Sequence, residues 1–391
     1  MNSTLSPITV IGTITKRYET EPRTFGILQP DRLHHMYIIG QTGTGKSTLL
    51  FNLMRQDLSQ GNGFCLLDPH GDLAQEIATH AGDNAIIWNP ADPKCEYGYN
   101  PLTRVSDEYR PLVVSGLITT LKKQWADAWG ARMEHLLRFA LFALLEQPSA
   151  NLEDIMPLFL NEQFRERALE YITDPQVRNF WAVEFKKLRY QNSVDGISPI
   201  ANKLSGFLAH PLLRKVVCHP EKPIRLRQVM DDGRPLIVNL AKGKLGADSA
   251  NLLGGLMITS LGHAAYARQD TPESLRRPFY VYTDEFHSIT TDAFAELLSE
   301  LRKYKVGLVL AHQHTEQISK AVFEAIIGNV GTWIVFRVGV TDATILSKQL
   351  GQIAPFDLIR LSNFRFFARL LIEGRQSEVF SGTSIHSKLQ R

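Results

Sequence analysis

The chain has 391 residues, 44% of them hydrophobic and 21% charged, with a formal net charge of +3 at pH 7. That is the profile of a globular protein of about two domains with ample chain for a core, and so mild a charge does not by itself imply nucleic acid. Three widely spaced cysteines (Cys65, Cys95, Cys218) argue against a disulfide framework or a zinc site, and His312 and His314 lack partners at ligand spacing. No basic flank followed by an apolar stretch opens the chain. The long uncharged run Asn251–Ala267 is interrupted by Thr259, Ser260 and His263 and reads as a buried helix. The expectation is a cytoplasmic protein with no transmembrane segment.

In chain order, residues 1–34 read as an N-terminal arm. Three short apolar runs follow, HMYIIG (His35–Gly40), GFCLLDP (Gly63–Pro69) and NAIIWNP (Asn84–Pro90). They predict strands buried on both faces of a mainly parallel sheet, and 35–103 becomes the first part of an α/β core. From 104 to 233 the apolar residues fall at helical spacing, as in RMEHLLRFALFALLEQ, and no strand signal appears. This predicts an inserted all-helical domain, where the small basic excess also sits. Strand-like runs resume with PLIVNLA, FYVYTDE, GLVLAHQ and TWIVFRV, so 234–380 forms the second part of the core and 381–391 a polar tail.

Chemistry is most legible in GQTGTGKS, Gly40 to Ser47. A strand, then G-x-x-x-x-G-K-[ST], then a helix with Leu49, Leu50, Leu53 and Met54 on one face is a phosphate-binding loop. Gly40, Gln41, Thr42, Gly43, Thr44 and Gly45 wrap the phosphates with backbone N–H groups, Lys46 neutralises them, Ser47 offers a hydroxyl to Mg²⁺, and Thr48 continues the helix. Asp284 ends an apolar strand where a carboxylate can hold Mg²⁺ through water, and Glu285 beside it suits a general base. The lack of an N-K-x-D guanine-reading motif favours ATP. Gln313 ends the next strand, as a polar strand cap or as a reader of the γ-phosphate. Arg302, Lys303 and Arg337 are either ordinary surface or ion-pair residues or arginines that serve a nucleotide. Asp68 in LLDPHGDL is either a turn former or a carboxylate standing behind Mg²⁺ or the lysine.

These pieces, in this order, resemble the HerA–FtsK branch of P-loop ATPases. The similarity is greatest to soluble relatives of HerA and of the TraG/TraD conjugative coupling proteins. It is carried by GQTGTGKSTLL, LLDPHGDL, GYNPL, LIVNLAKGKLG, YTDEFHSI, LRKYKVGLVLAHQ and GNVGTWIVFRVGVTDA. The resemblance implies a RecA-like core with an additional strand and a hexameric ring that hydrolyses ATP with Mg²⁺ to move duplex DNA. Contact would run through the DNA phosphate backbone and be sequence-tolerant. A nuclease or a conjugation or defence apparatus would be the partner. It implies Lys46 and Ser47 on phosphate and Mg²⁺, Asp284 on Mg²⁺, Glu285 as base and Gln313 as sensor. Arg302 falls where relatives carry an arginine supplied to the next subunit, and Arg337 resembles a second nucleotide-reading arginine. His287 stands where relatives often have glutamine. Two other readings stay open: an assembly or secretion ATPase acting on protein, and an ATP-bound ring that scaffolds an effector.

Overall fold

A computed structural model describes residues 7–14, 21–103, 105–187, 196–290, 294–351 and 353–385. The chain forms two compact units, one from 1–87, 227–239 and 265–391, the other from 88–226 and 240–264.

The first unit is built on an 11-stranded sheet. Its strands are β1 (Ile8–Ile14), β2 (Arg23–Leu28), β3 (Met36–Ile39), β4 (Gly63–Asp68), β5 (Ile86–Trp88), β6 (Leu236–Asn239), β7 (Phe279–Thr283), β8 (Val306–His312), β9 (Thr332–Val335), β10 (Arg365–Arg369) and β11 (Phe380–Ser384). They lie in the order β2-β1-β11-β10-β9-β3-β8-β7-β4-β6-β5. From β9 through β3, β8, β7 and β4 to β6, neighbours run parallel. Every residue of β3, β4, β7, β8 and β9 is buried, as continuous apolar runs require when helices cover both faces. Helix α1 (Lys46–Gln60) leaves the end of β3 and buries Leu49, Leu50, Leu53 and Met54 completely. Those side chains pack with Ile38, Leu66, Val309 and Ile334 of the sheet in one apolar core.

Beyond β9 the sheet turns antiparallel, and two sequence expectations are corrected there. The supposed arm contains β1 and β2, a hairpin in the sheet. The supposed tail contains most of β11, which pairs with β10 on one side and β1 on the other. Residues 386–391 of that expected tail lie outside the described residues. These strands are half-covered: RFFAR buries Phe366 and Ala368 and leaves Arg365 exposed. A search for unbroken apolar runs passes over such alternation.

A buried ion pair ties this unit together. Arg32 donates to both carboxylate oxygens of Asp57 on α1, at 2.7 and 2.9 Å, and to the hydroxyls of Tyr282 on β7 and Thr9 on β1. The Tyr282 hydroxyl also donates to Asp57, and the Arg32 guanidinium lies 3.6 Å over the Tyr280 ring.

The second unit is mostly helical and departs from the expected 104–233. It begins at Trp88 and takes in Leu240–Ala264, most of the helix Ala247–Tyr266. That helix buries Leu252, Leu253, Leu256, Met257 and Leu261, and its Leu256 carbonyl accepts the Tyr99 hydroxyl at 3.2 Å. The unit also holds a short parallel pair, Tyr97–Gly98 with Lys222–Pro223, the second of these within the stretch expected to be all helical. Among the described residues no helix is long and apolar enough to cross a membrane.

Candidate nucleotide site

Strand β3 ends at Ile39, and the chain must turn through a tight loop before α1 begins at Lys46. Gly43 and Gly45 make the turn with φ of +75° and +119°, and Gly45 is further confined by the rings of Phe364 and Phe336. A side chain at Gly45 would be strained in backbone and in space. The loop closes around Lys46, whose ammonium donates to the carbonyls of Gly40 at 2.6 Å and Gln41 at 3.2 Å. Burial lowers the Lys46 pKa, opposed by the nearby charges of Asp284 and Glu285. Thr44 is fully buried and braces the loop by donating its hydroxyl to the Gln41 carbonyl at 2.7 Å.

Parallel strands then deliver the carboxylates. Asp284 follows β7 directly, and Ser47 donates to its Oδ2 at 3.4 Å. Burial, and after it the charges of Glu285 and Asp68, push the Asp284 pKa up to about 6. Glu285 has a left-handed backbone at φ +48°, a strained position for this residue type. Its Oε1 accepts from Gln313 Nε2 at 2.6 Å, and its Oε2 lies 3.4 Å from His287 Nδ1. The Gln313 Oε1 in turn accepts from the Thr42 hydroxyl at 3.0 Å. A relay thus runs from the phosphate loop through Gln313 to Glu285. Asp68 is a turn former: its oxygens accept the backbone N–H of His70 and Ala74, both at 2.9 Å, and so start the helix Asp72–Ala78.

These groups face one cleft of about 420 Å³, lined by Thr42, Gly43, Gly45, Lys46, Ser47, Thr48, Asp68, Asp284, Glu285, Gln313 and Phe364 among others. The Ser47 hydroxyl and the Asp284 carboxylate are hard oxygen donors. They suit Mg²⁺, which keeps most of its waters and takes few protein ligands. Glu285 and Asp68 add negative charge beside Asp284 that a divalent cation would offset. Among the described residues no cluster of three His, Cys, Asp or Glu forms a separate metal site.

The arginines part company. Arg337 stays by the loop: its Nε donates to Gln41 Oε1 at 3.3 Å, its Nη1 to the Leu361 carbonyl at 3.1 Å, and its carbonyl accepts the Gln41 N–H at 2.8 Å. Arg302 stands in the turn Leu301–Tyr304 before β8, whereas Gln313 follows that strand. The seven residues of β8 hold the two apart, by roughly 20 Å at strand rise. Arg302 contacts His34 at 3.1 Å and lines a different recess with Arg276, Lys303 and Lys305. Sequence reasoning missed the Thr42–Gln313 link, Phe364 and the Arg32–Asp57 pair, all of which join segments far apart in the chain.

A phosphate loop after β3, a polar residue past the adjacent strand β8 and two carboxylates past β7, the strand beyond it, define a RecA-like P-loop NTPase fold. Two family models match. Residues 27–188 match the type IV secretion-system coupling protein DNA-binding domain, and residues 278–355 match the TraM recognition site of TraD and TraG. Both matches are to coupling-protein domains of the TrwB and TraG/TraD type. No curated protein sequence matches it.

Solved structures agree on the fold. The bacterial conjugative coupling protein TrwBdeltaN70, in an unbound form, is 18% identical with a TM-score of 0.65, over 92% of this chain and 87% of that one. The plasmid coupling protein TrwB in complex with the GTP analogue GDPNP is 17% identical with a TM-score of 0.66, over 97% and 95%. VirB4 of Thermoanaerobacter pseudethanolicus is 14% identical with a TM-score of 0.65, over 100% and 98%.

Proposed function

We propose that this chain is a Mg²⁺-dependent ATPase that assembles into a ring, in the expectation a hexamer, and moves duplex DNA in a conjugation or secretion apparatus. One observation carries the enzymatic part: the relay Thr42–Gln313–Glu285 opens onto the same cleft as Lys46, Ser47 and Asp284. Lys46 holds the β- and γ-phosphate oxygens, and the loop N–H groups and the start of α1 add their dipoles. Ser47 and Asp284 hold the Mg²⁺, which when bound neutralises charge on the phosphates. Glu285 accepts a proton from the attacking water, and Gln313 fixes the carboxylate and positions that water. Arg302 lies too far from its own chain's cleft to serve it, which supports donation to the next subunit. Structures of TrwB in complex with ADP and Mg²⁺ and with analogues of both ATP and GTP support a purine nucleotide, and the lack of an N-K-x-D motif here favours ATP. The DNA-binding-domain match over 27–188 supports the choice of polymer. Contact mainly with phosphates is expected, and hence affinity that falls steeply between about 50 and 200 mM salt.

Turnover with and without duplex DNA tests this reading. The chain should hydrolyse ATP faster on DNA, Lys46→Ala should lose nucleotide binding or turnover, and Glu285→Gln should bind ATP and stall. Turnover indifferent to DNA would favour a protein substrate, and negligible turnover a nucleotide-bound scaffold. Normal turnover in Glu285→Gln would remove that residue from the role.

A further inference from the structure

Phe364 has a left-handed backbone at φ +66°, where a bulky L-residue is strained and persists only if its surroundings hold it. They do so from two sides. Its N–H donates to the Thr44 carbonyl of the phosphate loop at 2.7 Å, and its carbonyl accepts the Ser384 N–H at 2.8 Å. The ring follows the backbone onto the loop: its Cδ1 lies 3.0 Å from where a Cβ on Gly45 would stand. It is half-buried and lines the cleft beside Lys46 and Thr48.

Strand order gives the ring a direction. Gln313, Asp284 and Glu285 follow β8 and β7, on one side of β3, whereas Phe364 precedes β10, two strands away on the other side. A triphosphate with its γ end toward Glu285 and Gln313, and its middle over Lys46, leads its nucleoside away from β8, toward Phe364. We infer that Phe364 is the wall against which the nucleoside end of the nucleotide seats, its ring offering a face or edge to the base. This rests on the nucleotide reading of the cleft and extends it to the part of the ligand that the phosphate loop does not touch. Stacking reads a π-face rather than a hydrogen-bonding pattern, so adenine and guanine are held alike.

The experiment titrates the full chain, with Mg²⁺ present, with ATP, GTP and inorganic tripolyphosphate. Phe364→Ala is expected to weaken ATP and GTP in parallel, by roughly 5- to 100-fold, the range of one lost stacking contact. Tripolyphosphate, which has no nucleoside, is expected to bind as before. Phe364→Leu keeps bulk against Gly45 without an aromatic face and is expected to follow alanine, while Phe364→Tyr restores nucleotide affinity. Unchanged ATP affinity in Phe364→Ala overturns the inference. So does a loss of tripolyphosphate as large as that of ATP, since Phe364 would then only prop the loop. Wild-type chain that binds none of the three ligands overturns the nucleotide reading itself.

Discussion

Asp57 and Arg32 are withdrawn from water, with side chains 0% and 1% exposed. Desolvating two charges is costly, and here the cost is offset only because every acceptor has a donor: Arg32, Tyr282 and Asn62 all reach Asp57. Asp57→Ala strands the guanidinium and is expected to destabilise the first unit by about 3–5 kcal/mol. Tyr282→Phe leaves the ion pair standing and should cost about 1–3 kcal/mol. Urea unfolding of the two variants checks the order. His35 is a second buried group with a consequence for pH. It accepts the Leu308 N–H at Nδ1 and donates from Nε2 to the Leu298 carbonyl, both at 3.0 Å, and burial lowers its pKa from 6.5 to about 4. The unfolded chain therefore binds one more proton at this residue between those values. Stability is whole above pH 6.5 and falls as pH drops toward 4, by at most about 3 kcal/mol from this group. His263, also lowered to about 4 by burial, acts in the same sense. His35→Gln should flatten part of the decline, seen as a smaller difference in melting temperature between pH 7 and pH 5.

Among the elements, those buried on both faces were legible in the sequence. MYII, GFCLLD and VGLVLAH are unbroken apolar runs, and each proved a central strand. The antiparallel flank was not legible, because ITVIGTI and FSGTS mix threonine, serine and glycine with apolar residues as half-solvated strands do. The helix Ala247–Tyr266 was foreseen as a helix, yet an apolar stretch does not say which core it joins, and it lies mostly in the helical unit. The site divides in the same way. The phosphate loop and the Asp284–Glu285 pair are local in sequence and were readable. Phe364 reaches the loop only through a strained turn at the head of β10, and no local pattern announces it. The misread tail gives a test. Ending the chain at Glu378 removes β11 and leaves both β10 and β1 with an open edge. Such a chain is expected to aggregate or to melt well below the full-length protein, as size-exclusion chromatography and thermal unfolding would show. A truncated chain with an unchanged melting temperature would make β11 dispensable.

At the scale of the whole molecule, the two ends of β8 carry different duties. Gln313 bonds Glu285 at the cleft of its own chain, and Arg302 stands at the far end of the strand beside His34. Under the proposed ring, one strand then links a subunit's own cleft to the cation it offers its neighbour. Arg302→Ala should bind ATP normally and hydrolyse it poorly, by a loss on the order of 10³-fold or less, since a fixed planar cation suits the spreading charge of phosphoryl transfer. Mixing it with Lys46→Ala subunits, inactive on their own, should restore part of the turnover, because some interfaces then pair an intact cleft with an intact arginine. If mixed rings form and turnover stays absent, Arg302 serves structure only, and Arg337, which already braces Gln41, becomes the better candidate.

The pairing of β1 with β11 also sets a timetable for synthesis. The β1–β2 hairpin is made well before β11 and gains side-chain anchorage early, through Gln56, which bonds both the N–H and the carbonyl of Val10. Its main-chain neighbour in the sheet is made about 350 residues later, a delay of roughly 20–70 s at usual elongation rates. For that interval β1 presents a bare edge on a growing chain, the surface most prone to recruit a strand from another molecule. A strand translated late thus protects one translated early, and a pause in translation before β11 would be felt at β1, about 350 residues upstream, as misassembly.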